Sequence, residues 1–91
     1  MVSKKEIAED LCRAKALIAD PNDWCQGATR NHLGQHCSLG ALKAAGCDTI
    51  AHRNALRRVT PECNIVVYND YHDHACVMEM WDTAIERLEN E

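Results

Sequence analysis

Six cysteines and five histidines among 91 residues are the side chains with the most reactive chemistry to offer. Cys25 lies in Trp24-Cys25-Gln26-Gly27-Ala28, and Cys37 opens Cys37-Ser38-Leu39-Gly40-Ala41-Leu42, so each thiol stands two or three residues before a Gly-Ala pair. A thiolate forms readily beside an imidazole, and Cys25 with His32 or His36 as base and Asn69 as orienting amide has the residue types of a cysteine-nucleophile hydrolase. Packing is the competing explanation, because free cysteine is among the most buried residue types and glycine lets backbones approach closely. We prefer that reading for Cys25 and Cys37, which leaves the chain without a catalytic residue.

The histidines also allow a metal alternative. His32 and His36 are four residues apart, as are His72 and Cys76, and on a helix such pairs share a face and would together close a tetrahedral zinc site. Gly34 interrupts the first pair, and no Cys-x-x-Cys spacing occurs. Solvent-exposed histidines, with no metal and no cofactor, are therefore the expectation. Arg53, Arg57 and Arg58, joined by Arg30, form a cationic stripe suited to bidentate contact with a phosphate or carboxylate, set against the plainer role of a solvated helix face. Trp24, beside Gln26 and Asn31, is the candidate pocket wall. Tyr68-Asn69-Asp70 offers acceptors either to a ligand or to the start of the last helix. The ligand site expected from these residues joins Trp24, Gln26, Asn69 and Asp70 to Arg53 or Arg57.

Helices must position these groups. Ser3-Lys4-Lys5-Glu6 is a capping box, after which Ile7, Leu11, Ala14 and Ile18 recur at helical spacing until Asp20-Pro21. Gln26 to His36 is polar and reads as a loop with at most one helical turn. Cys37 to Ala45 reads as a short helix closed by Gly46. Asp48 or Thr49 caps a third helix, which turns Ala51, Ala55, Leu56 and Val59 inward and stops at Thr60-Pro61. Asn64 to Tyr68 is β-branched and strand-like, with no partner strand in the chain, so it is either a buried extended segment or a strand paired across a dimer. Asn69, Asp70 and Asp73 supply caps for a last helix in which Val77, Met78, Trp81, Ala84, Ile85 and Leu88 repeat every three or four residues.

A chain of this length forms one domain, residues 1–91, and buries about 60–65% of its unfolded surface. The predicted fold is all-α, about four short helices with one extended segment, around a thin core that a homodimer would help to cover. A net charge of −4 argues against a broad nucleic-acid surface. No apolar run reaches the length of a membrane span, and Met1 to Glu6 lacks the apolar stretch of a signal peptide, so the expected location is cytoplasmic and the thiols are expected to be reduced.

Trp24-Cys25-Gln26-Gly27-Ala28, Cys37-Ser38-Leu39-Gly40-Ala41-Leu42, Ile65 to Asp70 and the closing Asp82 to Leu88 together resemble a family of small uncharacterised proteins common in bacteriophages and actinobacteria. The resemblance covers most of the chain from Ile18 onward. It implies a phage or prophage accessory protein, in the host cytoplasm if phage-encoded, and it carries no established activity. The function expected from the sequence is a non-enzymatic binding module that engages a host protein or sequesters a small anionic ligand.

Overall fold

Each helix begins on a side chain that the sequence supplies for the purpose. Ser3 accepts the amide of Glu6 at 3.1 Å and starts α1, Lys4–Ala16. Cys37 Sγ accepts the amide of Gly40 at 3.4 Å at the start of α2, Ser38–Ala44. Thr49 accepts the amide of His52 and opens α3, Ile50–Arg57. Asn64 caps α4, Ile65–Tyr71, by accepting from both Val66 and Val67, and Asp73 caps α5, His74–Asn90, by accepting from Cys76. These caps satisfy amides that the first turn of a helix leaves without partners. A short 3₁₀ turn, Pro21–Asp23, follows α1, and Gly46 ends α2 with φ +74°. The computed structural model describes residues 3–60 and 64–91. The stop signal expected at Pro61 and the thiol of Cys63 lie outside them.

Five α-helices stand among the described residues, and no strand. The segment from Asn64 to Tyr68 is thus a correction to the sequence reading: it starts α4 rather than running extended. An isolated strand would leave its amides unpaired, whereas a helix satisfies them internally and needs only a cap, which Asn64 provides. The helix also places Ile65 and Asn69 four residues apart on one buried face. A dimer built on strand pairing through this segment accordingly has no strand to use.

The long helices α1 and α5 form the most extensive interface. Ile7, Leu11 and Ala14 of α1 share one core with Val77, Trp81, Ala84, Ile85 and Leu88 of α5, and Ile18, Leu42 and Leu56 belong to the same cluster. Full burial of one such large apolar side chain stabilises by roughly 1.5–3 kcal/mol. The α5 stripe matches the expected repeat, except that Met80 is buried and Met78 only partly so. In α3 the buried positions are His52, Ala55 and Leu56, while Ala51 is exposed.

Candidate functional site

Asn69 lies on α4 with its side chain fully buried, at 0% exposure, where an unpaired amide would be costly. Its Oδ1 accepts from Trp24 Nε1 at 2.8 Å and from both the amide and the hydroxyl of Ser38 at 2.9 Å. Its Nδ2 donates to the Cys25 carbonyl at 3.0 Å and to Asp70 Oδ1 at 3.2 Å. Three donors on one atom and two acceptors on the other fix the orientation of the amide. Trp81 Nε1 in turn donates to Ser38 Oγ at 3.0 Å, so the hydroxyl relays the network into the core. Gln26 Nε2 donates to the carbonyls of Asn69 and His72, and the amide of Gly27 donates to Asp70 Oδ1 at 2.9 Å.

The three segments singled out from the sequence, Trp24–Ala28, Cys37–Leu42 and Tyr68–Asp70, therefore meet at Asn69. Trp24, Gln26, Asn69 and Asp70 come together, and their hydrogen bonds run between elements of the chain and hold the loop 24–37 against α2 and α4. The cap of the last helix comes from Asp73 alone, not from Asn69 or Asp70. Arg53 and Arg57 take no part in this network. They line a separate depression of about 240 Å3 with Leu39, Asn64, Ile65 and Val66, between α3 and the start of α4. Arg53 is held there by Asp48, which accepts from Nε at 2.5 Å and from Nη2 at 2.8 Å. That pairing keeps the Asp48 carboxyl below the usual carboxylate range.

The loop is itself well tied. Backbone bridges join Trp24 and Arg30 to His36. Asn31 Oδ1 accepts the amides of Leu33 and Gln35, its Nδ2 donates to Gln35 Oε1, and Gln35 Nε2 donates to the Asn22 carbonyl. The Thr29 carbonyl, which accepts the Cys37 amide at 3.2 Å, rests on α2 at Gly40. A Cβ at Gly40 would collide with that carbonyl and stand 3.3 Å from His36 Nδ1, so the close approach requires glycine.

The nucleophile and metal alternatives meet different surroundings. The Cys25 thiol is buried and donates to the carbonyls of Ala28 and Gln35, each at 3.4 Å. Burial pushes its pKa up, and neighbouring Cys37 adds to the rise, the opposite of what an activated thiol needs. His32 is exposed and His36 sits in the loop beyond Gly34, whose φ is +80°, so this pair shares no helix. His72 ends α4 and Cys76 belongs to α5, with the helix break at Asp73 between them. His72 stacks on Tyr68 with ring centroids 3.9 Å apart, and its Nδ1 lies 2.9 Å from the Tyr68 carbonyl. Among the described residues, no three His, Cys, Asp or Glu side chains gather as a metal would require. Five of the six cysteines are described, and all five are free.

Two features escaped the sequence reading. Ser38 relays hydrogen bonds between Asn69 and Trp81; its segment was singled out for Cys37 and the Gly-Ala pair, not for this hydroxyl. His52 is only 2% exposed, with Nδ1 2.6 Å from Thr49 Oγ1 and Nε2 2.9 Å from Asp10 Oδ2, tying α3 to α1. Its spacing from Ala55 and Leu56 was the available signal, since all three fall on one helix face.

The family model described as "Family of unknown function (DUF6197)" matches residues 2–87. The chain belongs to that family. No curated protein and no solved structure matches it. Within this DUF6197 chain, the match spans all three segments that converge on Asn69.

Proposed function

We propose that this chain is a non-enzymatic binding module that takes a small anionic ligand at the depression beside Arg53 and Arg57, with phage or prophage origin suggested by the sequence resemblance. One observation carries the reading: two arginines a helical turn apart line one concavity whose other walls include Leu39, Ile65 and Val66. A guanidinium pair binds a carboxylate through directed hydrogen bonds, and an apolar wall accepts the rest of a small organic acid. Asp48 fixes the Arg53 guanidinium before any ligand arrives, so less side-chain freedom is lost on binding. No helix of the described residues is long and apolar enough to cross a membrane. Partnership with a host protein or a second copy of the chain would draw on the α4 face that exposes Val66, Val67 and Tyr71.

A thermal-shift titration with acetate and benzoate tests the proposal, because a ligand that binds only the folded chain raises its melting temperature in a saturable way. The expected result is a rise with benzoate that disappears in Arg57→Ala, each protein being compared with its own ligand-free melt. No rise with either acid, or an equal rise in Arg57→Ala, contradicts the site. A companion measurement addresses the thiols. Native-state alkylation by iodoacetamide should label exposed Cys12 and leave Cys25, Cys37 and Cys47 protected. Rapid labelling of Cys25 below neutral pH would instead favour the hydrolase.

A further inference from the structure

A second concavity, of about 290 Å3, lies where the loop meets α2, and its walls are Thr29, Arg30, His36, Gly40, Lys43 and Ala44. Every titratable side chain in this wall is basic, in a chain whose net charge is −4. Two other concavities that contain lysine or arginine carry their own acids: Glu9, Glu89 and Glu91 stand with Lys4 and Lys5, and Glu86 and Glu91 stand with Arg87. In the depression at α3, Arg53 is already bonded to Asp48. By contrast, among the described residues neither Arg30 nor Lys43 takes part in an ion pair. The Thr29 hydroxyl and the His36 ring likewise make no side-chain hydrogen bond among those residues.

His36 adds a second observation. Its Nδ1 is the buried side-chain nitrogen without a hydrogen-bond partner among the described residues, sealed on the α2 side near Gly40. Nε2 is then the ring nitrogen left to meet solvent or a ligand. Backbone bridges to Trp24 and Arg30 hold the residue in place, and the absent side chain at Gly40 lets the loop settle close to the helix. Donors of three kinds, a guanidinium, an ammonium and an imidazole, thus line one acid-free concavity beside a free hydroxyl.

We propose that this concavity is a binding site for a phosphate group, either free or as the terminal dianion of a phosphate monoester. A tetrahedral dianion spreads its acceptor oxygens in three dimensions and carries twice the charge of a monocarboxylate, which matches cationic donors set around one concavity. The guanidinium of Arg30 supplies directed bonds, and Lys43 supplies a mobile point charge. The volume lies at the small end of ligand cavities, about 300 Å3 and upward, and suits a phosphate with at most a small attached group inside it. This site is independent of the one proposed at Arg53 and Arg57.

Amide chemical-shift titration of the whole chain with inorganic phosphate and, separately, with adenosine monophosphate tests it, at ionic strength held constant with sodium chloride. The expected result is a saturable shift confined to Thr29, Arg30, His36, Gly40 and Lys43. Arg30→Gln and Lys43→Gln should each weaken binding about tenfold, the loss typical of one charge-assisted hydrogen bond. The same spectra report whether each variant keeps its fold. Arg57→Ala should bind phosphate like the parent, which separates this site from the carboxylate site. Saturation by both probes identifies an ester-tolerant site, and saturation by inorganic phosphate alone identifies a site for the free ion. Linear, non-saturating shifts, shifts centred on Arg53 and Arg57, or unchanged affinity in both glutamine variants overturn the proposal.

Discussion

The two halves of this molecule are held together by different physics. Between α1 and α5, stability comes from apolar side chains repeating along two helices, and no single atom is indispensable. Around the loop 24–37, a single buried amide satisfies five side-chain hydrogen bonds from four residues. An apolar interface is non-directional and tolerates exchange of one hydrophobic shape for another. A buried polar hub is directional, and the loss of one member leaves the others unpaired in a medium where that is expensive.

Substitutions of similar volume sharpen the contrast. Asn69→Leu strands the Trp24 indole, the Ser38 amide and the Cys25 carbonyl, each at about 1–3 kcal/mol, so a loss of at least about 3 kcal/mol is expected in urea unfolding. Asn69→Asp should cost at least as much, because a carboxylate oxygen would face the Cys25 carbonyl and Asp70 where Nδ2 now donates. Gly40→Ala should cost about 1–3 kcal/mol, since the loop must lift from α2 to clear the Thr29 carbonyl. On the helical side, Asn64→Ala removes the α4 cap at about 1 kcal/mol, and Leu11→Met should cost less than about 1.5 kcal/mol. If Leu11→Met proved as damaging as Asn69→Asp, the distinction between the halves would fail.

A smaller effect concerns Asp10, whose side-chain hydrogen bond with His52 lowers its pKa, with Arg13 adding to the shift and burial opposing it. Because the folded chain holds the Asp10 proton less tightly than the unfolded one, this contribution is full above about pH 4 and is lost as pH falls through the lowered value. Thermal melts of the parent and of Asp10→Asn should therefore differ near neutrality and converge in acid. A constant difference down to the lowest pH at which the chain folds would remove Asp10 from the account.

The helices were legible because their signals are local. Ser3, Thr49 and Asp73 act as caps within three residues of the amides they serve, and the α5 stripe lies along one face. The exception is α4, where β-branched Ile65, Val66 and Val67 point to a strand by propensity while the cap at Asn64 and the buried spacing of Ile65 and Asn69 decide for helix. The convergence of Trp24, Gln26, Asn69 and Asp70 was legible from the motifs that contain them. Their role was not, because Asn69 meets Trp24 across 45 residues and Ser38 across 31, and local sequence holds no record of such pairings. Arg53 and Arg57 were placed on the correct helix but at a different concavity, since the direction of α3 relative to α4 depends on packing that no single segment encodes.

Native-state amide hydrogen exchange on the unaltered protein tests the central claim most directly, because it compares the loop with the core in one experiment. The amides of Cys25, His36, Cys37 and Ser38 are bonded respectively to the His36 carbonyl, the Asp23 carbonyl, the Thr29 carbonyl and Asn69 Oδ1, outside any regular helix or strand ladder. If Asn69 makes the loop one cooperative unit with the core, these four should exchange nearly as slowly as the buried Leu11 and Trp81 positions. Exchange at these four amides faster by several orders of magnitude, with α1 and α5 still protected, would show a loop that opens on its own and would contradict the account.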